Sequence, residues 1–288
     1  MSGLHERVAV IGDVGGHSAV LRDMLERLGV AFDPAAHSAT GVDWRSVGFE
    51  WPEGLHVVQV GDLVHRGPDS LGVVLLVDRL LARGVWTQLV GNHEQLYVDR
   101  RVFDWAETVE AAASEALRAW WGEGWMVPGA AVEAADGDWL LTHGGLTRGF
   151  WEQGLWRPSR ARDALAPLAE ARADGALWFP GSMLTGRADE NAGPVWAEAG
   201  VEVYPSWKRA ETPMPFHQAH GHSTAFLWDR EQWRAERWIL PDLSLDVASR
   251  HVTFTNGDRR IVGIDPGHGR APAPAWAPLI LRDARVHT

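Results

Sequence analysis

Short apolar runs alternate with segments of helical periodicity in the first ninety residues of the chain. Three apolar runs have the length of strands buried on both faces, at residues 7–11, 55–60 and 85–90. Between them, residues 18–28 and 71–82 carry apolar side chains at helical spacing, and Gly29 and Gly84 follow as helix-ending signals. Strand–helix alternation of this kind predicts a parallel sheet with ligand groups at the carboxyl ends of its strands.

The alternation stops after the third strand, and the rest of the chain is less regular. Residues 103–121 predict one helix with a tryptophan-rich end, and residues 159–172 predict a short helix. Further strands are predicted at residues 139–142, 216–222 and 261–265. We find no internal repeat and no flexible linker, so the sequence predicts a single domain, residues 1–288, with lid insertions at about 100–138 and 148–215.

Polar groups end or follow five of the predicted strands. They supply carboxylates, an amide and imidazoles, in the order Asp13, Asp62, Asn92, His143 and His222. Because the carboxyl ends of parallel strands meet at one edge of a sheet, we expect these side chains to converge. Two divalent ions need such a set of ligands. Each residue alone is weak evidence, since aspartate and asparagine after a strand are usually turn formers. Their repeated occurrence in this order indicates a metal-dependent hydrolase.

Composition and charge narrow the possible functions. Of the 288 residues, 45% are hydrophobic, which is enough to bury one large core or two small ones. The net charge of −11 argues against a general affinity for nucleic acid or anionic membranes. The lack of cysteine excludes disulfides, a thiolate nucleophile and cysteine-based metal sites. The sequence has neither a signal-peptide pattern nor an apolar run of roughly 20 residues, so we expect a cytoplasmic protein.

The order of the polar groups resembles the calcineurin-like metallophosphoesterase superfamily, whose pattern is Asp-x-His, Gly-Asp, Gly-Asn-His-Glu, His and Gly-His. The corresponding segments of this chain are residues 12–15, 61–62, 91–94, 143 and 221–222. The run Gly-Asp-Leu-Val-His-Arg-Gly-Pro-Asp-Ser at residues 61–70 is similar to the signature of the phosphoprotein phosphatase branch, which includes the diadenosine tetraphosphatases. The resemblance implies an α/β fold, a metallophosphoesterase-type sheet sandwich flanked by helices, with inserted lid segments.

The resemblance implies two divalent metal ions and assigns their ligands. Asp62 would bridge both ions and Asp13 would hold the first. Asn92, His143 and His222 would hold the second. Mn²⁺ is the expected metal, with Fe, Zn and Ni as alternatives, because histidine, aspartate and asparagine ligands suit all of them.

The first metal site departs from the family pattern. Gly15 stands where the family has a metal-binding histidine, and glycine has no side chain that could replace it. His17 lies two residues later and is the candidate replacement ligand. At the second site, His220 is an alternative to His222, but Gly221-His222 fits the family pattern better.

The resemblance also implies which residues handle the substrate. Arg66 would bind phosphate, because its planar fork can meet two oxygens at once, and Asn92 would contribute to the same binding. His93 would protonate the leaving oxygen. The aspartate that orients this histidine in the family is replaced by His65, which cannot stabilise a charged His93 and, if protonated, would lower its pKa.

The expected reaction is hydrolysis of phosphate monoesters, in phosphoproteins or small molecules, by direct attack of a metal-bridging hydroxide. The expected partner is a phosphorylated substrate, with neither nucleic acid nor a membrane. Two alternatives stay open. One is hydrolysis of dinucleoside polyphosphates, since the chain has 17 tryptophans, and those of the lid would suit stacking on a base, although core packing explains them as readily. The other is a degenerate, catalytically weak phosphatase fold acting as a binding or regulatory module, which Gly15 and His65 motivate.

Overall fold

The computed structural model describes residues 3–38, 41–100, 102–103, 105–274 and 276–288. The strands in this part of the chain are β1 (Leu4–Ile11), β2 (Ala31–Phe32), β3 (Phe49–Glu50), β4 (Leu55–Gln59), β5 (Trp86–Leu89), β6 (Met126–Val127), β7 (Ala130–Ala134), β8 (Gly137–Leu141), β9 (His217–His220), β10 (Phe226–Leu227), β11 (Gln232–Trp233), β12 (Leu243–Asp246), β13 (His251–Asn256), β14 (Arg259–Gly263) and β15 (Leu279–His287). The α-helices are α1 (Ser18–Arg27), α2 (Ser70–Ala82), α3 (Asn92–Val98), α4 (Ala111–Glu123), α5 (Arg148–Gln153), α6 (Leu165–Asp174), α7 (Ser182–Thr185) and α8 (Tyr204–Lys208).

A mixed sheet organises the described residues, with the strand order β12-β13-β14-β9-β8-β7-β15-β1-β4-β5-β6. Two groups of strands are parallel, as predicted: β1, β4, β5 and β6 in one half, and β8, β9 and β14 in the other. The strands β7, β15, β12 and β13, for which the alternation made no prediction, pair antiparallel. Short loops join β7 to β8 and β12 through β14, and such loops allow only antiparallel neighbours.

Two apolar clusters lie on opposite faces of this sheet. The inner cluster takes Val8, Val10 and Val58 from one half of the sheet and Trp139 and Leu141 from the other, so the two halves pack face to face. The outer cluster lies between the sheet and the helices. The strands β4, β5 and β9 are buried along their whole length, as their continuous apolar runs predict. The mixed α/β architecture with flanking helices confirms the predicted fold class.

The structure corrects two predicted helices. The helix predicted at residues 103–121 begins only at Ala111, in α4. Phe103 and Trp105 instead pack their rings together, which residues two apart on a helix cannot do because they point to nearly opposite sides. Residue 104 lies outside the described residues. The helix predicted near 159–172 consists of a 3₁₀ turn, Ala161–Ala164, followed by α6. The single-domain organisation stays a prediction, as do the bounds of the lid segments.

No helix in the described ranges is both long and apolar enough to cross a bilayer.

Removing a side chain from the inner cluster tests the packing of the two sheet halves. Trp139 is completely buried, and its indole N–H donates to Asp136 at 3.1 Å. We expect Trp139→Ala to lower the free energy of unfolding by about 3–5 kcal/mol, measured by urea denaturation. The matched control is Trp156→Ala, because Trp156 is 77% exposed; its loss should stay below about 0.5 kcal/mol. Equal losses in the two variants would contradict the described packing.

The buried imidazole of His56 gives the fold a pH dependence. Its Nε2 lies 2.9 Å from Thr87 Oγ1, and burial, with the nearby charge of His5, lowers its pKa to about 4. An unfolded histidine has a pKa of about 6.5, so the unfolded chain binds more protons between these values. Stability is therefore present above about pH 6.5 and is lost as the pH falls towards 4. We expect His56 to contribute a loss of about 2 kcal/mol between pH 7 and pH 5.

Urea denaturation of the native sequence and of His56→Gln across this pH range measures that contribution. The variant should show the shallower pH dependence. Parallel pH profiles for the two proteins would show that His56 is not the group responsible.

Candidate metal centre

The carboxyl ends of the parallel strands deliver the polar side chains to one edge of the sheet. The residues in question are Asp13 after β1, Asp62 after β4, Asn92 after β5, His143 after β8, His222 after β9 and Asp265 after β14. Each of them has less than a tenth of its surface exposed. The strand ends thus bring these side chains to one edge of the sheet, as the sequence led us to expect. Asp265 lies there as well, although the sequence analysis did not include it.

Backbone turns fix the positions of the ligand groups. Asp62 and His222 both adopt left-handed conformations, with φ of 59° and 63°, which are uncommon outside glycine. Glu94 holds the first of these turns, because its carboxylate accepts hydrogen bonds from the backbone N–H groups of Asp62, Leu63 and Gly91 at 2.8–2.9 Å. The loops after β4 and β5 are thereby locked to each other.

The side chains of Asp62, His143 and His222 place their ligand atoms within 4.8 Å of one another. The amide oxygen of Asn92 lies 2.9 Å from both His143 Nε2 and His222 Nδ1. The same atom position is 3.2 Å from each carboxylate oxygen of Asp62. Lone pairs of Asp62, His143 and His222 therefore converge on the Asn92 amide. A bound cation would relieve their repulsion, and so would an amide turned with its nitrogen inward. The set of donors fits a divalent cation.

Orphaned polar atoms support the same conclusion. Asp13 Oδ2 and His222 Nε2 are buried without a hydrogen-bond partner among the described residues. In His143, Nδ1 lies 2.8 Å from the carbonyl of Val60, so the N–H of Nδ1 donates there and the Nε2 lone pair is left for a ligand. This is the usual orientation of a metal-binding histidine.

Burial of several carboxylates creates a strong demand for positive charge. Burial, together with the charges of Asp265 and Asp62, raises the pKa of Asp13 well above its ordinary value. Burial would also raise the pKa of Asp62, but the charges of His143 and His93 outweigh it and lower that pKa well below the usual range. The pKa of His143 rises to about 9, because the neighbouring Asp62 carboxylate outweighs burial, which alone would lower it. A bound cation would take over the compensating role of the His143 proton.

Asp265 is the site residue that the sequence analysis missed. It follows β14, is buried, and accepts a hydrogen bond from the backbone N–H of Gly267 at 2.8 Å. Its pKa is raised by burial, against the lowering effect of Arg66. The signal was present in the sequence, because an apolar run precedes Asp265 as it precedes Asp13 and Asp62.

The structure shows how His93 is held without the family's aspartate. His93 Nδ1 lies 2.8 Å from the carbonyl of Val64 and donates to it, so this backbone group fixes the tautomer. Its Nε2 has no hydrogen-bond partner among the described residues and lies 3.6 Å from Asp62 Oδ2. His65 turns its Nε2 to the hydroxyl of Tyr97, at 2.6 Å. Burial lowers the pKa of His93 and, with the charge of His93, lowers that of His65 to about 4.

Arg66 also has a left-handed backbone conformation, with φ of 66°. Its backbone N–H donates to Glu107 at 2.7 Å, and its Nη1 donates to the carbonyl of His268 at 2.9 Å. The guanidinium is thus anchored to the loop after β14 through one of its five N–H groups. Phosphate binding by Arg66 stays a prediction.

The structure does not bring His17 into the cluster of Asp62, His143 and His222. His17 Nε2 lies 3.0 Å from the carbonyl of Gly269, which leaves only Nδ1 for any metal. Ligation of the first ion by His17 therefore stays a prediction.

His220 points away from the cluster and is engaged on both ring nitrogens. Its Nε2 lies 3.0 Å from the hydroxyl of Tyr204, and its Nδ1 lies 2.8 Å from the carbonyl of Gly221. His222, by contrast, faces Asn92. The geometry therefore favours His222 over His220 as the ligand, in line with the motif.

Comparison with known proteins supplies independent information. The model of the calcineurin-like phosphoesterase family matches residues 6–248. A bis(5'-nucleosyl)-tetraphosphatase PrpE, asymmetrical, from Halalkalibacterium halodurans is 30% identical over 84 residues, which are 29% of this chain and 29% of that protein. The chain thus matches under a third of the length of this relative.

Two solved structures are also similar. A metallophosphoesterase from Sphaerobacter thermophilus has 22% identity over 49% of this chain and 47% of that one, with a TM-score of 0.28. A structure provisionally named a diadenosine tetraphosphatase has 18% identity over 92% of this chain and 85% of that one, with a TM-score of 0.38.

Titration of chelator-stripped protein with Mn²⁺ tests the metal centre. We expect calorimetric binding and a rise in melting temperature, because a cation that binds only the folded state stabilises it. His222→Ala should weaken binding at least ~10-fold. His251→Ala is the matched control, since both histidines are 7% exposed, and the His251 side chain lies in β13 with its Nε2 2.8 Å from the carbonyl of Ala277. Unchanged Mn²⁺ affinity in His222→Ala would count against the site.

Proposed function

Since the chain belongs to the calcineurin-like phosphoesterase family, we propose that it hydrolyses phosphate monoesters, of proteins or small molecules, at a centre of two divalent ions. The observation that carries the proposal is the convergence of Asp62, Asn92, His143 and His222 on one buried point. A scaffold without catalytic function has no physical need for such a costly assembly of buried polar groups.

The chain's own residues divide between the two ions. Asn92, His143 and His222 would hold one ion, Asp13 would hold the other, and Asp62 would be a ligand of both. When bound, the ions activate water and offset the negative charge of the phosphate. We take Mn²⁺ as the metal in both positions, because the mixture of carboxylate, amide and imidazole ligands suits it, as it suits Fe, Zn and Ni.

Two further residues would act on the substrate directly. His93, when protonated on both ring nitrogens, would donate the Nε2 proton to the leaving oxygen, and the hydrogen bond from its Nδ1 to the carbonyl of Val64 keeps Nε2 turned into the site. A carbonyl stabilises the charged imidazole less than a carboxylate does, so His93 would give up its proton readily. Arg66 would bind phosphate oxygens with the part of its fork that does not contact His268, and Asn92 would assist.

A dinucleoside polyphosphate is the second candidate substrate. The partial match to a bis(5'-nucleosyl)-tetraphosphatase favours it, as does an aromatic ring, Trp105, packed against His93. The third candidate, a degenerate module that binds without turnover, rests on Gly15 and His65. Because the carbonyl of Val64 sets the tautomer of His93, the presence of His65 does not by itself indicate a loss of catalysis.

Hydrolysis of p-nitrophenyl phosphate by chelator-stripped protein tests the proposal. We expect turnover only after a divalent metal, Mn²⁺, Ni²⁺ or Zn²⁺, is added. Asp62→Asn should lower kcat at least ~100-fold, because a neutral amide cannot offset the charge of two cations. His37→Ala serves as the control, since His37 is exposed and its Nε2 lies 3.0 Å from Glu26 Oε1 of α1. Equal, negligible rates for all three proteins under every metal would favour the binding module.

A further inference from the structure

Three aromatic side chains line the site on the side of His93. They are Phe103, Trp105 and Trp196, which we call the aromatic wall. Phe103 meets Trp105 edge to face at a centroid distance of 5.6 Å and meets Trp196 in the same way at 5.4 Å. Trp196 in turn packs edge to face against His222 at 5.8 Å. The wall therefore extends from a metal-ligand candidate to the proposed proton donor.

Trp105 is the member of the wall closest to the proposed chemistry. Its ring centroid lies 4.5 Å from that of His93, and it stacks on His65 at 5.6 Å with an interplanar angle of 20°. The guanidinium carbon of Arg66 lies 6.0 Å from the same indole. Trp105 remains half-buried, whereas Trp196 is 3% exposed. Part of the Trp105 surface is therefore open to a ligand.

Hydrogen bonds hold the segment that carries Trp105 in place. Glu107 accepts the backbone N–H of Arg66 at 2.7 Å, and the backbone N–H of Val109 donates to the Tyr97 hydroxyl at 3.2 Å. That hydroxyl also contacts His65 at 2.6 Å. The orientation of the indole is thus set before any substrate binds, which lowers the entropic cost of using it for recognition.

We propose that Trp105 determines specificity by stacking on an aromatic ring carried by the leaving group of the substrate, either an aryl group or a nucleobase. The inference rests on the proposed function, in which His93 protonates the leaving oxygen. Whatever is bonded to that oxygen must extend from His93 Nε2 along the neighbouring surface, and the nearest ring there is Trp105. An aromatic ring can stack on an indole whatever its substituents, whereas a small alkyl group offers little area for contact.

The same geometry gives His65 a positive role. A carboxylate at this position would offer Trp105 no ring to stack on, whereas the imidazole of His65 lies nearly parallel to the indole. His65 therefore acts as a positioning residue for Trp105, and Tyr97 holds His65 from the other end. His65, which replaces the aspartate of the family motif, and Trp105 therefore form one stacked pair.

Steady-state kinetics of the Mn²⁺-loaded enzyme test the proposal. Two substrates carry an aromatic ring on the leaving side, p-nitrophenyl phosphate and adenosine 5'-monophosphate. Two lack one, ribose 5-phosphate and glycerol 3-phosphate. Comparing each variant with the native sequence on the same substrate cancels the different intrinsic reactivities. We expect Trp105→Ala to lower kcat/KM about 10-fold for the aromatic pair, mainly through KM, and under about 2-fold for the other pair.

Two further variants separate recognition from structural damage. Trp105→Phe keeps a ring and should restore most of the lost kcat/KM. Trp156→Ala removes an exposed indole outside the aromatic wall and should change no ratio. An equal loss for all four substrates in Trp105→Ala would overturn the proposal in favour of a purely structural role, and so would the absence of any loss. A loss confined to one aromatic substrate would support the proposal and identify whether the ring is an aryl group or a nucleobase.

Equilibrium binding keeps the inference separate from the proposed reaction. Calorimetry of the Mn²⁺-loaded protein with adenosine 5'-monophosphate and with ribose 5-phosphate needs no turnover. Tighter binding of the nucleotide, lost in Trp105→Ala, would support stacking even if no substrate were hydrolysed, in which case only the proposed function would fall. Equal affinities for the two ligands in the native protein would overturn the inference, even for an active phosphatase.

Discussion

The carboxylate of Glu94 is the contact on which the geometry of the site depends. It is completely buried and accepts backbone N–H groups from Asp62, Leu63 and Gly91, so one side chain joins the turns after β4 and β5. Burial and the nearby charge of Asp62 raise the pKa of Glu94 to about 7. The Glu94 carboxyl group is therefore harder to ionise than an exposed one. Its oxygens nevertheless accept hydrogen bonds from three backbone N–H groups that would otherwise lack a partner. The left-handed backbone of Asp62, which aims that residue at Asn92 and His143, follows from this tie.

Charge balance is the second constraint, and it links the fold to the metal. Asp13, Asp62 and Asp265 follow β1, β4 and β14, and the negative charge of Asp62 helps to raise the pKa of the other two. The raised pKa of His143 favours a proton that supplies compensation, and a bound cation would supply more. Folding and metal binding would therefore be coupled, because a bound cation would remove a repulsion that the sheet topology itself creates.

The sequence predicted those parts of the molecule in which local pattern and topology agree. The strands before Asp13, Asp62 and Asn92 were recognisable as continuous apolar runs, and the parallel arrangement of these strands placed the three side chains at one edge of the sheet. The helix predicted from residue 103 failed because Phe103 and Trp105 pack against other rings of the site, which periodicity alone does not reveal. The tautomer of His93 was also out of reach, because it depends on the carbonyl of Val64 and not on any side chain. Asp265 could have been found by the rule that found Asp13.

The position of β15 has a consequence for how the chain reaches its native state. This strand lies in the middle of the sheet, between β1 and β7, and joins the two halves. Its pairing of Arg285 with Leu4 closes a loop of roughly 280 residues, a contact of very high sequence separation. Until that contact forms, β1 and β7 each present an unpaired edge to other chains. We therefore expect the pairing of β15 to be a slow and aggregation-exposed step of folding.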